Sequence, residues 1–410
     1  MNKNSILPIF LVVFIDLLGV GILIPVMAPL FMDPSHGFLG NATQSTRAVM
    51  LGFLLGSYAL AQFFGAPILG GLSDRLGRRK VLMLSIFGSL VGYILFGIGI
   101  LTRNIPLIFA SRLLDGFTGG NIAVAMSAIS DISDEKSKAK NFGLVGMAFG
   151  FGFIIGPFIG GKLADSSISS WFNSATPFWF AAGLCALNLL MLYIYFKETL
   201  HTKVNTPISA LTGFKNLAKA MSMKNVRLMF LVVFLYAFGF NFFTQFFQVL
   251  LVEKFGFTAS RIGDLFAYVG LWIIFTQGIL IRPIAKRFAP PQVMQVSLLG
   301  LSIALFLILI PTKAYMLLFV LPMVSVFNGL TFPNSTSIIS GLAGRESQGE
   351  IMGINQSIQA IAMAIPPIIS GFIYTIHQST PIIVGGLSVL LAWIAFQAFQ
   401  KQSKQVFHEV

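Results

Sequence analysis

Apolar residues come in long unbroken runs along almost the whole of this 410-residue chain. A helix that crosses a membrane needs about 20 predominantly apolar residues. Against that length the chain predicts twelve spans, at 6–30, 48–72, 81–101, 105–130, 142–164, 175–196, 227–251, 260–284, 293–311, 315–341, 350–376 and 381–399. The runs are continuous rather than alternating, which excludes a membrane β-barrel. The expected fold is all-α and integral to the membrane. It has an N-terminal six-helix bundle at 1–196, a linker at 197–226, a C-terminal six-helix bundle at 227–400 and a tail at 401–410. In the linker, Leu211, Phe214, Leu217 and Met221 share one helical face, flanked by Lys215 and Lys219. That pattern fits a short helix on the membrane surface; a plain flexible linker is the alternative.

Composition agrees. The chain is 56% hydrophobic and 10% charged, against about 25% charged in a typical soluble domain, and its mean hydropathy is +0.84. Disorder, a disulfide framework and a soluble enzyme are excluded. The lone Cys185 sits in an apolar run and reads as a small buried hydrophobe. The first apolar run is too long for a signal-peptide core. The net charge of +13 would raise the question of nucleic acid in a soluble chain. Here, with the N-terminus placed inside, 20 basic residues fall on inner segments and 6 on outer ones. This asymmetry places both termini in the cytoplasm and accounts for the charge without nucleic acid.

Two halves of six spans should leave a repeat. GGLSDRLGRRKVL at 70–82 meets RPIAKRFAPPQVM at 282–294, a shift of 212 that aligns Arg75 with Arg287. Gly143, Gly156, Pro157 and Gly161 meet Gly353, Pro366, Pro367 and Gly371 at a shift of 210. Asp115, Gly116, Thr118 and Asn121 meet Asn328, Gly329, Thr331 and Asn334 at 213. The repeat implies pseudo-symmetric halves with a substrate site between them near the midplane.

Charge inside a bilayer is costly, about 2.5–3.5 kcal/mol at the helix centre on insertion scales. Asp16 lies about 15 Å into the first span at 1.5 Å per residue. It is either a protonatable switch or cation contact, or an acid paired with a neighbouring helix. Arg112 and Asp115 are three apart, hence on one helix face. They either neutralise one another or use the arginine to tune proton binding at the acid. Uncharged polar groups within spans, namely Gln62, Asn121, Asn241, Gln245, Asn328, Asn334, Asn355 and Gln359, are candidates for a substrate cavity. In the seventh span they are set among Phe240, Phe242, Phe243, Phe246 and Phe247, which suits a bulky, partly apolar molecule. Interhelical hydrogen bonding is the alternative role. There is no phosphate-binding GxxxxGK loop and no cysteine–histidine metal cluster, so no ATPase engine and no metal site are expected. The four histidines all fall in loops or the tail.

Residues 70–82 resemble the loop signature of the major facilitator superfamily, in Gly70, Asp74, Arg75, Gly77, Arg78 and Arg79. Gly143, Gly152, Gly156, Pro157, Gly160 and Gly161 resemble the fifth-helix signature of its proton-driven drug antiporters. Arg112 with Gly116 is similar to a fourth-helix signature tied to proton transfer, with Asp115 replacing its usual glutamine. FIDLLGVGILIPVMAPL at 14–30 and the stretch 58–85 resemble the bacterial tetracycline/proton antiporter branch. The resemblance implies the twelve-helix facilitator fold, in the inner membrane of a bacterium. It implies that Asp16 faces the central cavity as a proton or substrate residue and that Arg112 tunes proton binding; with Asp115, read above as its partner, these are the expected coupling residues. It also implies a gating relay of Asp74, Arg78 and Asp131, with Asp74 latched against the N-terminal end of the eleventh helix. Gly92 stands where the tetracycline exporters carry a membrane acid, and Ile273 where they carry a histidine, which argues against tetracycline itself. The expectation is a monomeric secondary transporter without cofactor. It exports small amphipathic compounds at the expense of a proton gradient, with lipid and protons as its other partners. Transport of a metabolite or siderophore-like molecule is the alternative. A channel or an intramembrane enzyme is the reading from another class.

Overall fold

A computed structural model describes residues 6–34, 38–133, 148, 150–152, 154–200, 209, 211–223, 226–342 and 348–408. The described residues are helical with short connections. The helices are α1 (Ile6–Met32), α2 (Gln44–Leu76), α3 (Arg78–Leu101), α4 (Ile105–Thr118) and α5 (Asn121–Asp131). α6 (Gly150–Leu163) follows. Then come α7 (Thr176–Tyr195), α8 (Thr212–Ser222), α9 (Arg227–Phe255), α10 (Ala259–Phe275), α11 (Ile281–Arg287), α12 (Pro290–Leu307), α13 (Leu317–Leu342), α14 (Gln348–Ile373) and α15 (Thr380–His408). A π-turn at Thr276–Leu280 joins α10 to α11, so that Ala259–Arg287 forms one span.

Ten helices among the described residues are long and apolar enough to cross a membrane. The expected fourth span, 105–130, is not a single helix. It breaks at Gly119 and Gly120, where the backbone tightens and Gly120 N–H reaches Phe117 O at 3.3 Å. The two glycines allow close approach to α2. A Cβ at Gly119 would meet the Tyr58 hydroxyl at 2.6 Å, and one at Gly120 would meet the Ala66 backbone nitrogen at 2.5 Å. The fifth span is described over Gly150–Leu163; its beginning, with Gly143, lies outside the described residues.

Two pairs of helix starts fall at the offset read from the sequence. α12 begins at Pro290, 212 residues after Arg78 opens α3, and α13 begins at Leu317, 212 residues after Ile105 opens α4.

The chain separates into two compact units. The first comprises 1–42, 57–212 and 256–270. In it α3 packs on α4, α5 and α7, and α1 on α5 and α7. Phe96 of α3 stacks on Phe178 of α7 at 4.1 Å, both fully buried. The second comprises 43–56, 213–255 and 271–410. In it α9 packs on α13, α14 and α15, and α12 on α13 and α15. Gly239 and Gly385 bring α9 and α15 into backbone contact, each facing the other's carbonyl. Such small-residue crossings suit a membrane, where close packing replaces the hydrophobic effect between helices. The first turns of α2 belong to this second unit, and Gly371 of α14 lies against Ala48 and Val49. Large apolar side chains such as Leu84, Phe87, Leu190, Ile194, Phe319 and Ile376 are exposed, as lipid-facing positions would be.

α8 is the linker helix. Its sequence neighbour Leu211, and Phe214 and Met221 within it, are exposed, while Asn216 Nδ2 donates to Ser357 Oγ of α14 at 2.9 Å.

Candidate functional site

Three groups of residues in the first unit carry chemistry. The deepest gathers around Asp16, buried on α1. No ion pair to Asp16 is found among the described residues. Asn121, at the head of α5, lies beside it, and Asn121 Nδ2 is buried with no hydrogen-bond partner among the described residues. On α4, Arg112 Nη1 donates to Asp115 Oδ2 at 2.9 Å, and both side chains are buried. The Arg112 guanidinium sits over the Tyr58 ring, 4.3 Å from its centroid. That stacking is a cation–π contact worth about 2 kcal/mol when desolvated. Ser89 of α3 lies beside Asp115, and its hydroxyl is 3.1 Å from Thr118 Oγ1. A Cβ at Gly92 would meet the Asp115 Cβ at 3.0 Å. The acid on α4 thus fills the space that a side chain at position 92 would need. Gln62 Nε2 donates to the Gly119 carbonyl at 2.9 Å, using the acceptor that the helix break frees.

The second group surrounds the α2–α3 turn. Gly77 makes the turn with φ of 106°, a conformation that side chains rarely adopt. Arg78, buried, donates from Nη1 to Asp74 Oδ1 and to Ser73 Oγ, each at 2.5 Å, and from Nε to Asp131 Oδ2 at 3.1 Å. It therefore ties the end of α2 to the end of α5. Glu198, just past α7, completes the knot. Its Oε1 accepts from the backbone N–H of Arg78 at 2.8 Å and its Oε2 from that of Arg79 at 3.2 Å. Its Oε1 also accepts from the N–H of Thr199 and Leu200, each at 3.1 Å. The first turn of a helix leaves its N–H groups unpaired and electropositive, and a carboxylate satisfies both needs. A Cβ at Gly77 would collide with the Glu198 carboxylate, a second reason for glycine there. Thr199 Oγ1 donates to Asp131 Oδ2 at 3.3 Å. Arg79 Nη2 donates to the Tyr193 carbonyl at 2.6 Å. A Cβ at Gly70 would meet nothing within 4 Å among the described residues. Arg75 ends α2 as a basic residue in its last turn, where a cation opposes the helix dipole favourably. The expected partner of Asp74, the N-terminal end of the eleventh helix, belongs to α14 (Gln348–Ile373) in the second unit.

The third group is α6. A Cβ at Gly152 would meet Leu17 Cβ at 2.9 Å, one at Gly156 would meet Gly21 Cα at 2.8 Å, and one at Gly160 would strike Ile22 O. The signature glycines therefore let α6 lie backbone-to-backbone on α1, the helix that carries Asp16. A Cβ at Gly161 would meet Ala259 O at 2.6 Å, and Gly263 faces the Pro157 carbonyl, which seats the start of α10. Beside that seam Lys162 Nζ pairs with Asp264 Oδ2 at 2.8 Å and donates to Ser260 Oγ at 3.0 Å.

In the second unit the polar candidates are spread over three helices. Asn241 and Asn334 donate to carbonyls of their own helices, Ala237 O at 2.8 Å and Leu330 O at 2.7 Å. Asn328 Oδ1 accepts from the Tyr236 hydroxyl at 2.6 Å, and the Gln245 carbonyl accepts from Gln248 Nε2 at 3.2 Å. Asn355 is buried, with Oδ1 lacking a partner among the described residues. Gln359, one turn further along α14, is half-buried.

The sequence reading did not single out Glu198, Tyr58 or Ser89, and gave Asp264 no role. Glu198 follows the sixth apolar run as an isolated acid, which is the one local sign of it.

A family model described as Major Facilitator Superfamily matches residues 9–280 and 229–406. Among curated relatives, the class E tetracycline resistance protein of Escherichia coli is 31% identical, over 93% of this chain and 90% of its own length. Multidrug resistance protein 1 of Bacillus subtilis (strain 168) is also 31% identical, over 96% of this chain and 97% of its own. The crystal structure of the human organic anion transporter MFSD10 (TETRAN) is similar in fold. Its TM-score is 0.72 at 24% identity, covering 96% of this chain and 99% of that one. The chain belongs to the Major Facilitator Superfamily: it is a multi-pass membrane transporter and not an enzyme.

Proposed function

We propose that the chain exports small amphipathic organic compounds in exchange for protons, by alternating access, as a monomer in the cytoplasmic membrane of a bacterium with both termini inside. Its two functional bundles are 1–196 and 227–400. The observation that carries this reading is the contrast between two buried acids. Asp115 has an arginine at 2.9 Å. Asp16 has no ion pair among the described residues. A carboxyl group in an apolar interior is tolerated at low cost only when it is paired or carries a proton. Asp16 is then the proton carrier. Arg112 and Asp115 set the local charge that the proton competes with. The relatives named for tetracycline and multidrug resistance support export, and the glycine seam of α6 supports the drug-antiporter subgroup.

Gln62 and Asn121 in the first unit, and Asn241, Gln245, Asn328, Asn334, Asn355 and Gln359 in the second, are the proposed substrate contacts. Asp74, Arg78 and Asp131 gate the cycle, and Gly70, Gly77 and Arg79 shape their turn.

The test is internal pH in proteoliposomes under an imposed proton gradient, with a panel of amphipathic drugs, siderophores and metabolites. Substrate-triggered proton efflux or influx in wild type, with opposite substrate movement, supports antiport. Substrate crossing with no proton movement makes the protein a facilitator and removes the coupling roles.

A further inference from the structure

Two clefts on the α3–α7 face of the first unit run into one another. One, of about 370 Å³, is lined by Leu76, Gly77, Arg79, Lys80, Met83, Tyr193, Glu198 and Leu200. The other, of about 570 Å³, is lined by Met83, Leu84, Phe87 and, from α7, Leu189, Leu190 and Tyr193. They share Met83 and Tyr193 and so form one groove that is basic at one end and apolar at the other. Lys80 to Phe87 spans about 10 Å of helix at 1.5 Å per residue.

We propose that this groove binds an anionic phospholipid of the cytoplasmic leaflet, with the phosphate at Lys80 and Arg79 and an acyl chain along Leu84, Phe87 and Leu190. The leaflet follows from the orientation proposed above, and the groove chemistry stands apart from it.

The apolar half settles what kind of molecule covers the groove. Leu84, Phe87, Leu190 and Ile194 are exposed on helices that cross a membrane, so hydrocarbon chains are the solvent there. The polar half selects among lipids by charge. Lys80 is exposed and has no partner among the described residues. The Arg79 guanidinium is held at the groove by the Tyr193 carbonyl, and lies 5.8 Å from the ring centroid of the same tyrosine. Tyr193 itself is 65% exposed, an amphipathic ring of the kind found at headgroup level. The one acid in the groove does not oppose an anion, because Glu198 is committed to four backbone N–H groups, two of them at the positive end of α3. The groove therefore keeps two side-chain cations against one carboxylate that the helix end already neutralises. Basic pockets between membrane helices on the cytoplasmic side are suited to acidic headgroups.

The test is non-denaturing mass spectrometry of the full chain, released from micelles doped equally with dioleoylphosphatidylglycerol and dioleoylphosphatidylcholine. Neither transport activity nor orientation in a membrane enters this readout, so it fails or succeeds independently of the proposed export. Wild type should retain the glycerol lipid over the choline lipid. Lys80→Glu should lower retention of the glycerol lipid about fivefold or more, the effect of one basic side chain at an anionic surface, and leave the choline lipid unchanged. Lys80→Gln should shift it the same way by less, which covers the case of a charge reversal that impairs folding. Leu84→Gln should weaken both lipids. Equal retention of the two lipids by wild type, or retention unmoved by either Lys80 change, overturns the proposal. Loss at Lys80 with no effect at Leu84 also overturns it, because that result describes a phosphate site without a chain groove.

Discussion

Arg112 and Asp115 meet at 2.9 Å across one turn of α4, both nearly inaccessible, with the arginine lying on the face of Tyr58. The arginine is therefore held from two sides, by its acid and by a ring from α2. Removing one member strands the other. Breaking a buried ion pair costs about 3–5 kcal/mol, whereas neutralising both partners costs much less. Asp115→Asn should accordingly lower the thermal unfolding midpoint of the detergent-solubilised protein more than the double change Arg112→Gln with Asp115→Asn does. Strictly additive losses would show that the two side chains do not act as a pair.

Asp16→Asn should insert and fold like wild type and lose proton-driven transport. The amide keeps the size and the hydrogen-bonding capacity of the acid and removes its titration. Flux driven by a pH gradient, measured in proteoliposomes beside a size-exclusion profile, checks this. Undiminished flux in the variant takes Asp16 out of the mechanism.

Glu198→Ala should uncap α3. The loss of an N-terminal acceptor costs about 0.5–2 kcal/mol, and here two α3 N–H groups are released together with their tie to the chain beyond α7. Hydrogen exchange of the amides at Arg78 and Arg79 should quicken, and transport should slow. Glu198→Gln, which retains one acceptor oxygen, should fall between the two. Unchanged exchange at those amides in Glu198→Ala would mean that water replaces the carboxylate without loss.

Gly160→Val should disrupt the seam between α6 and α1, since even a Cβ there strikes Ile22 O. Overpacking of this kind costs about 1–3 kcal/mol or more. Lower yield and a lower unfolding midpoint are expected. Gly150→Ala, whose Cβ would meet nothing within 4 Å among the described residues, serves as the milder comparison on the same helix.

Asp74→Asn should slow cycling and leave substrate affinity unchanged, because Asp74 pairs with Arg78 at the α2–α3 turn, about 18 Å along α2 from the proposed contact Gln62 at 1.5 Å per residue. Equilibrium binding and transport rate measured on the same preparation separate the two effects. A selective loss of affinity contradicts a gating role.

The membrane class and most spans were legible because apolar runs of this length have one physical reading. The Arg112–Asp115 contact was legible too, because a spacing of three fixes a shared helix face. Other features were hidden for definite reasons. The break at Gly119 and Gly120 lies inside a stretch whose length reads as one span, and α2 approaches it there through Tyr58 and the Ala66 backbone, which the local sequence does not show. Glu198 works through backbone N–H groups 119 and 120 positions away, which leave no side-chain signature. Lys162 and Asp264 are 102 residues apart and meet only because glycines bring α6 and α10 together. Asn241 and Asn334 satisfy their amides on their own helices, so polarity within a span did not by itself predict an interhelical bond.

The glycine break has a mechanical consequence. α4 holds the Arg112–Asp115 pair, and α5, beyond the break, holds Asn121 at one end and Asp131 at the other. An intact helix over this stretch would act as one stiff rod, and tilting its far end would drag the ion pair along. With the break between them, α5 is a separate helix. Its first residue lies in the neighbourhood of Asp16 and its last is clasped by Arg78. A shift of Asp131 is therefore expected to reach Asn121 along α5 without passing through the Arg112–Asp115 pair.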